Sequence, residues 1–468
     1  MASAELADLV DFGAANGMDS VLVVRHGTLV LEATYAPFRP GLKHLVNSVT
    51  KGVVGTLVGI AQQEGTIERL GAPVLGFFPE RQVASASAQK SAMTLEHLLD
   101  MTSGLSWQEP LSDAPPETML QMERSADWVG FVLDRPMAQA PGAGFNYDSG
   151  TWQLLSAIVA RESGMDTVAY ARQKLFAPLG IDDVAWRRDP QGVPIGGYGL
   201  YLQPRDMARI GYLYLRGGRW QGKQLLAPAF VDKVLHPVVD MRLGTAPPFR
   251  YANGWWSVPD KGATMAVGFL RQLIVVLPAT DTVAVVTGRR NYPMLPLIDR
   301  LIAAASSPGP LPADAVGSAR LAERVRDAAV EKATPVRPAP ALAQRVSGKT
   351  YRLEPNWLRL ATLKLDLSAA DPRYAVTFAG PGPAGSGLPI EGAMGLDGLY
   401  RLSPGPQAAT TLAVKGHWLA DDRFQIVSRA LLEGMVTTFD LTFSDGKLDL
   451  LMRDNRGIQA TVRGEAAD

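Results

Sequence analysis

Residues 47–67 read NSVTKGVVGTLVGIAQQEGTI. Apolar side chains recur from Val49 to Ala61 at the spacing of a buried helix face, and Ser48 and Lys51 share one face at its start. A serine hydroxyl becomes a nucleophile when an adjacent base takes its proton, and burial lowers the pKa of a lysine enough for it to act as that base. The stretch therefore predicts a nucleophilic Ser48 activated by Lys51. The alternative is that Ser48 only caps the helix and Lys51 is a surface cation.

The S-x-x-K spacing alone is a weak signal, because the chain contains it three times, as Ser48/Lys51, Ser87/Lys90 and Ser444/Lys447. Ser87 lies in the polar stretch VASASAQK, and Ser444 opens the turn SDGK between two predicted strands. We expect both of these serines to be solvated surface residues. Only Ser48 begins an apolar helix, whose burial would perturb the lysine of the pair.

A serine and lysine pair needs a third group that carries the proton to the leaving group, and a tyrosine serves well beside a lysine. Two stretches have a suitable form, YDS at residues 147–149 and YAN at residues 251–253. The first lies between the turn-rich PGAGFN and a helical stretch, which places Tyr147 on a loop. The second runs into GWW and is typical of a strand, where an aromatic ring packs. We predict Tyr147 as the third catalytic residue and Ser149 as its hydrogen-bonding neighbour.

The composition excludes several classes of function. Lys plus Arg and Asp plus Glu are 46 each, so no net charge favours binding to nucleic acid or to an anionic membrane. The absence of cysteine excludes disulfides, thiolate metal sites and a cysteine nucleophile, and the five histidines have no metal-binding spacing. No apolar run is long enough to span a membrane. The first ten residues lack a secretory n-region, which favours the cytoplasm for the sequence as written, or the periplasm or medium if a leader was removed.

Secondary-structure signals favour an α+β fold class in the first part of the chain. Residues 20–35 predict a hairpin, and residues 47–235 are mainly helical in pattern. Two further strands are predicted at 271–278 and 282–288, which indicates one sheet built from both ends of the domain and flanked by helices.

The C-terminal part has a different texture. Short alternating runs from 347 to 463 predict an antiparallel β-barrel or sandwich. We therefore predict a first domain at 1–305, a Pro/Ala-rich linker at 306–340 with one helix over 319–332, and a β-rich domain at 341–468.

Several stretches together resemble one known family, the class C β-lactamase-like serine hydrolases, which include esterases, D-amino-acid peptidases and 6-aminohexanoate-dimer hydrolase. They are NSVTKGVVGTLVGIAQQEGTI, MTLEHLLDMTSGL, PGAGFNYDSGTWQLLSAIVARESG, KLFAPLGI, GGYGLYLQPRDMARIGYLYLRGG and VGFLRQLIVVLP, spread over residues 18–305. The resemblance implies a β-lactamase/transpeptidase-like domain of the penicillin-binding superfamily. It carries the family's nucleophile, lysine and tyrosine over to Ser48, Lys51 and Tyr147.

The family's third motif, usually K-T-G, H-x-G or an apolar variant, corresponds here to residues 268–272, GFLRQ. The resemblance implies that Phe269 lies on the strand bordering the cleft, faces the site, and forms the oxyanion hole by its backbone N–H together with that of Ser48. Gly268, Arg271 and Gln272 are then predicted to contact substrate. Arg271, where the family has glycine, would narrow the cleft or bind a substrate carboxylate, or else it points to solvent.

The predicted function is cleavage of a small carboxylic ester, amide or peptide through an acyl-enzyme on Ser48, without metal or organic cofactor. Ser149 and Trp255 are further substrate-binding candidates, although the ring of Trp255 is also suited to packing. The missing cation of the third motif favours an esterase or amidase. The alternatives are a D-amino-acid peptidase or β-lactamase-type amidase and, from another class, a non-catalytic penicillin-binding-like protein. Homo-oligomerisation is left open.

Overall fold

The computed structural model describes residues 1–112, 114–307, 309–380, 389–405 and 410–467. The chain divides into two units. The first consists of 1–16, 20–33 and 45–322, and the second of 17–19, 34–44 and 323–468. The change from the first unit to the second at residues 322/323 falls inside a helix, Ala315–Ala329. The domain and linker boundaries expected at 305 and 340 remain predictions.

An antiparallel sheet of eight strands organises the first unit, in the order β2-β1-β13-β12-β11-β10-β9-β8. The thirteen strands of this part of the chain are β1 Met18–Arg25, β2 Thr28–Thr34, β3 His44–Leu45, β4 Ala185–Trp186, β5 Leu200–Leu202, β6 Arg219–Trp220, β7 Lys223–Gln224, β8 Val239–Asp240, β9 Arg250–Ala252, β10 Trp255–Val258, β11 Ala263–Gly268, β12 Gln272–Leu277 and β13 Thr282–Gly288. The early hairpin β1/β2 lies beside β13, so the expectation of one sheet built from both ends of the domain is confirmed.

Helices of this part of the chain pack against the sheet or against one another. They are α1 Ser3–Ala15, α2 Val49–Gln63, α3 Ala88–Ser91, α4 Leu95–Leu99, α5 Glu117–Arg124, α6 Trp128–Leu133, α7 Ser149–Ser163, α8 Thr167–Ala171, α9 Ala177–Leu179, α10 Pro204–Leu215, α11 Pro228–Leu235, α12 Leu295–Ala304 and α13 Ala315–Ala329, with a π-helical turn at Arg172–Phe176 and short 3₁₀ turns at Val74–Phe77, Pro259–Lys261 and Pro278–Thr280. Within the described residues, no helix has the length and apolar character of a membrane span.

Helix α2 is the central element of the site. Every residue from Val49 to Ala61 is buried, because α2 packs against β11 and β12 of the sheet and against α7. Glycines allow the close approach: a Cβ on Gly55 would lie 2.4 Å from the backbone oxygen of Asn253. The helical pattern of residues 47–67 thus reflects a helix buried on all sides.

The second unit contains an antiparallel ten-stranded sheet in the order β17-β16-β15-β14-β23-β22-β21-β20-β19-β18. Its elements are the helix α14 Leu342–Val346 and the strands β14 Thr350–Leu353, β15 Leu360–Asp366, β16 Arg373–Phe378, β17 Ile390–Ala393, β18 Arg401–Pro404, β19 Thr411–Trp418, β20 Arg423–Ala430, β21 Met435–Ser444, β22 Lys447–Asp454 and β23 Gln459–Ala466. The end strand β17 also contacts β18 and β19, which makes the sheet a nearly closed barrel. Its interior is filled by a core that includes Tyr351, Trp418 and Phe424.

The predicted α+β fold class is confirmed, and of the two C-terminal alternatives the structure has the barrel rather than the sandwich. The helix expected over 319–332 is found four residues earlier, at Ala315–Ala329, and only Gly317 of it is buried. Weak burial explains the misplaced start, because an exposed helix leaves little apolar periodicity in the sequence.

Candidate active site

Ser48 and Lys51 meet at the start of α2. The Lys51 Nζ donates hydrogen bonds to Ser48 Oγ at 2.8 Å and to the Gly197 carbonyl oxygen at 2.7 Å. Lys51 is 1% exposed, whereas Ser48 is partly open to solvent and its side chain caps no backbone group. The alternative of a capping serine beside a surface cation therefore does not describe this site.

Burial decides the protonation of the lysine. It lowers the pKa of Lys51 to about 8, and the charges of Glu109 and Asp148 act in the opposite direction. Roughly one Lys51 in ten is then neutral at pH 7 and able to accept a proton. The two hydrogen bonds of its Nζ fix the amine against the serine hydroxyl.

Tyr147 completes a three-residue cluster. It lies on the loop before α7, as predicted, and its hydroxyl is close enough to Ser48 for that side chain to act on the pKa of the phenol. The Lys51 Nζ lies 4.8 Å from the centroid of the Tyr147 ring. Burial and the charge of Glu109 raise the pKa of Tyr147, so the phenol keeps its proton at neutral pH. Tyr251, the other candidate tyrosine, is fully buried on β9 and packs against Phe145 at 5.2 Å between ring centroids.

Glu109, a carboxylate that was not among the residues predicted from the sequence, hydrogen-bonds with Ser149 at the start of α7. Glu109 Oε2 accepts hydrogen bonds from the Ser149 N–H and from Trp107 Nε1, both at 2.8 Å, and its Oε1 accepts from Ser149 Oγ at 2.6 Å. Ser149 is buried and directs its hydroxyl at this carboxylate. The residue between it and the tyrosine, Asp148, caps α7 through Thr151 N–H, and burial raises the pKa of Asp148 to about 8.

The predicted oxyanion donors lie on adjoining segments. Strand β11 ends at Gly268, so Phe269 belongs to the tight turn that follows and not to the strand itself. The Asn47 side-chain amide donates to the Phe269 carbonyl oxygen at 3.0 Å, which ties the turn to the residue preceding Ser48. Among the described residues, neither the Ser48 N–H nor the Phe269 N–H donates a backbone hydrogen bond. Both amides are thus available to an external acceptor.

Side chains of the same turn have structural partners. Gln272 is fully buried and binds Gly288 through both ends of its amide, at 2.7 and 3.1 Å, so it holds the turn in place. Arg271 donates from Nε to the Tyr292 carbonyl and lies over that residue's ring, 5.9 Å from its centroid. Its guanidinium group is therefore bound within the protein and does not extend freely into solvent. The Phe269 side chain is 47% exposed.

Trp255 is placed behind the nucleophile helix. It is fully buried, packs against Tyr214 at 4.4 Å between ring centroids, and would meet a Cβ on Gly52 at 3.1 Å. The packing role is therefore the one its contacts support. Substrate contact by Trp255, Gly268, Arg271 or Gln272 stays a prediction.

The other two S-x-x-K copies have different surroundings. Ser444 and Lys447 are exposed in the β21/β22 hairpin, as expected. In the Ser87/Lys90 copy the lysine is buried: Lys90 is 1% exposed, and its Nζ donates to the Ala84 and Leu133 carbonyls. Ser87 is exposed and accepts a hydrogen bond from the Lys90 N–H as the cap of α3. Helix α3 is short and neighbouring loops bury its lysine, so the sequence shows no apolar period there. For this reason the burial of Lys90 could not be predicted.

The fold of the first unit is that of a β-lactamase-like domain. Residues 6–307, more than half of the chain, match the Beta-lactamase family model, and the chain belongs to that family. Within the described residues, no group of three or more His, Asp or Glu side chains is arranged to hold a metal ion.

The curated relatives include a hydrolase and an esterase, and a further one from Aspergillus terreus is named a monacolin J acid methylbutanoyltransferase. The chain is 29% identical over 285 residues to 6-aminohexanoate-dimer hydrolase from Paenarthrobacter ureafaciens, covering 57% of this chain and 71% of that protein. It is 28% identical over 178 residues to esterase EstB from Burkholderia gladioli, covering 35% and 45% respectively. Among solved structures, the octameric penicillin-binding protein homologue from Pyrococcus abyssi aligns over 98% of both chains with a TM-score of 0.50 at 14% identity, which shows a shared fold.

Proposed function

We propose that this protein is a serine hydrolase that cleaves small carboxylic esters or amides through an acyl intermediate on Ser48. The observation that carries the proposal is the 2.8 Å hydrogen bond from a buried lysine amine to a partly open serine hydroxyl. A lysine that burial has made partly neutral at pH 7 is a suitable base for that hydroxyl. The hydrolase and esterase names of the relatives support the reaction class.

The first half-reaction forms the acyl-enzyme. Neutral Lys51 takes the Ser48 hydroxyl proton while Oγ bonds to the carbonyl carbon, and the carbonyl π-electrons move to the oxygen. The N–H groups of Ser48 and Phe269 stabilise that oxyanion. When the intermediate collapses, the bond to the leaving group breaks and the Tyr147 phenol gives its proton to the leaving oxygen or nitrogen. The Lys51 ammonium then returns a proton to the phenolate.

Water completes the cycle by the reverse route. It attacks the acyl carbon, loses a proton to Lys51, and the Ser48 oxygen regains a proton as the acid departs. The retained phenolic proton favours poor leaving groups, so small amides are included beside esters. A β-lactamase-type amidase is the second form of the same chemistry, and the amide hydrolase among the relatives favours it.

We assign all of these groups to the predicted domain at 1–305 and propose that residues 341–468 fold as a separate barrel domain. The cluster residues lie within 45–322 of the first structural unit.

The chain offers a matched pair of variants as a test. Ser48→Ala is expected to abolish turnover of a short-chain p-nitrophenyl ester while the far-UV circular dichroism stays unchanged. Ser87→Ala removes a serine that, like Ser48, lies three residues before a lysine. This variant is expected to keep full turnover. Mass spectrometry after incubation with a fluorophosphonate should find the adduct on Ser48. Near-normal turnover by Ser48→Ala would exclude this residue from the mechanism, and a lack of any adduct would favour the non-catalytic binding protein.

A further inference from the structure

Glu109 is a carboxylate beside the catalytic cluster with no assigned role. It lies on the loop between α4 and α5 and takes three hydrogen bonds, two from Ser149 and one from Trp107. Within the described residues, it forms no ion pair with a lysine or arginine. The three donors to this partly buried carboxylate are neutral groups.

The contacts of Glu109 hold the turn that presents the tyrosine. Ser149 N–H is the first amide of α7, and its hydroxyl binds the other oxygen of the same carboxylate. Asp148 accepts a hydrogen bond from the Thr151 N–H in the first turn of this helix. Tyr147 immediately precedes these two anchored residues, so its backbone position depends on both carboxylates.

The charge of Glu109 reaches every titratable group in the cluster. It raises the pKa of Lys51 against the effect of burial, and it adds to the burial that raises the pKa of Tyr147 and of Asp148. It acts in the same direction on the pKa of Tyr198, after burial and the neighbouring Glu123.

Resting on the hydrolase function proposed above, we propose that Glu109 is a positioning residue, which anchors the Tyr147–Ser149 turn by its hydrogen bonds and places a negative charge beside the Ser48, Lys51 and Tyr147 cluster. Burial makes part of Lys51 neutral at pH 7, but the lower pKa also makes each neutral amine a weaker acceptor for the serine proton. The charge offsets that loss without contacting the reacting atoms.

Glu109→Gln separates the charge from the anchor. A glutamine oxygen in the place of Oε2 can accept from the Ser149 N–H and Trp107 Nε1, and its NH₂ group can donate to Ser149 Oγ, because a hydroxyl is donor and acceptor alike. The three contacts survive with the serine hydroxyl reversed. We therefore expect a thermal unfolding midpoint close to that of the wild type.

The expected signature is in the pH profile of kcat/KM. Removing a negative charge lowers the pKa of Lys51, and it also lowers that of Asp148, so both protons leave at lower pH. The acid limb of Glu109→Gln should move towards acid pH by about half a pH unit or more, and the plateau above it should fall because the base is weaker. The matched control is Glu117→Gln, an exposed glutamate at the start of α5, which should leave both features unchanged.

Two further measurements separate the possible failures. Ser149→Ala removes the hydroxyl anchor but keeps the charge, and it should lower kcat without moving the acid limb. NMR titration of labelled lysine side chains in the wild type and in Glu109→Gln reports the pKa of Lys51 without any turnover. An acid limb and a lysine titration that stay in place in Glu109→Gln would overturn this role, even if kcat falls. A wild type without turnover or adduct, combined with a shifted lysine titration, would refute the hydrolase function and keep the electrostatic coupling.

Discussion

Replacing Lys51 by methionine tests how the protein holds a buried base. The pKa of Lys51 falls from 10.5 to about 8 on burial, which corresponds to about 3 kcal/mol against the folded ammonium form. Below pH 8 the lysine is protonated in both the folded and the unfolded state, so the wild type bears this whole cost. Between pH 8 and 10.5 the folded lysine is neutral while the unfolded one is still charged, and the cost disappears.

The sign of the expected result follows from this difference. Methionine does not titrate, so the unfolding free energy of Lys51→Met relative to wild type should decline by about 3 kcal/mol as the pH rises from about 7 to above 10. The variant also loses the hydrogen bonds to Ser48 and Gly197. This loss shifts its unfolding free energy by the same amount at every pH, so it does not change how the difference from wild type depends on pH. Turnover should fall by about a hundredfold to ten-thousandfold, because the general base is gone.

Urea unfolding across this pH range measures the slope. The matched control is Lys90→Met, which removes a second buried lysine whose pKa burial also lowers. It should show a pH dependence of the same sign and retain full ester hydrolysis. A free-energy difference between Lys51→Met and wild type that stays constant with pH would refute the buried-base interpretation.

Two other substitutions test the oxyanion donor and the backbone behind the lysine. Phe269→Pro removes the backbone N–H and should lower kcat by about a hundredfold to a thousandfold. Phe269→Ala keeps this donor and should retain most of kcat. Equal rates of p-nitrophenyl ester turnover by the two variants would exclude the Phe269 amide from the oxyanion hole. Gly196→Ala would place a Cβ 1.8 Å from the backbone oxygen of Trp152, and it should lower the unfolding free energy by about 1–3 kcal/mol. Gly76→Ala, which meets no atom within 4 Å, is its control in urea unfolding.

The fold could be predicted from the sequence because its elements follow simple periods. The β14, β21 and β22 strands of the barrel coincide within two residues with runs of alternating side chains, such as KLDLLMR at 447–453. The nucleophile helix was found for the same reason. The sequence did not predict two features of the weakly periodic part of the chain, namely the start of α13 and the burial of Lys90, where packing against neighbouring segments decides the structure.

The candidate site was predictable where one residue type follows another at a fixed spacing. Ser48, Lys51 and Tyr147 belong to local patterns, and the structure brings their side chains together. Glu109 and the Gly197 carbonyl could not be found, because they reach the site from distant loops and their spacing to Ser48 carries no local signal. The packing of Trp255, which the sequence also indicated, follows from its place on a buried strand behind α2.

The two S-x-x-K pairs whose lysine is buried show why the motif alone does not make a nucleophile. In the Ser87/Lys90 pair the serine oxygen accepts from the lysine's own N–H, and the lysine amine is spent on two carbonyls, so each side chain only stabilises a turn. In the Ser48/Lys51 pair the serine caps no amide, and the lysine amine donates to its hydroxyl. Burial is common to both lysines and therefore does not distinguish them. The difference lies in the serine hydroxyl. That of Ser87 accepts a hydrogen bond from the backbone, whereas that of Ser48 accepts one from the lysine amine and lies near the Tyr147 phenol.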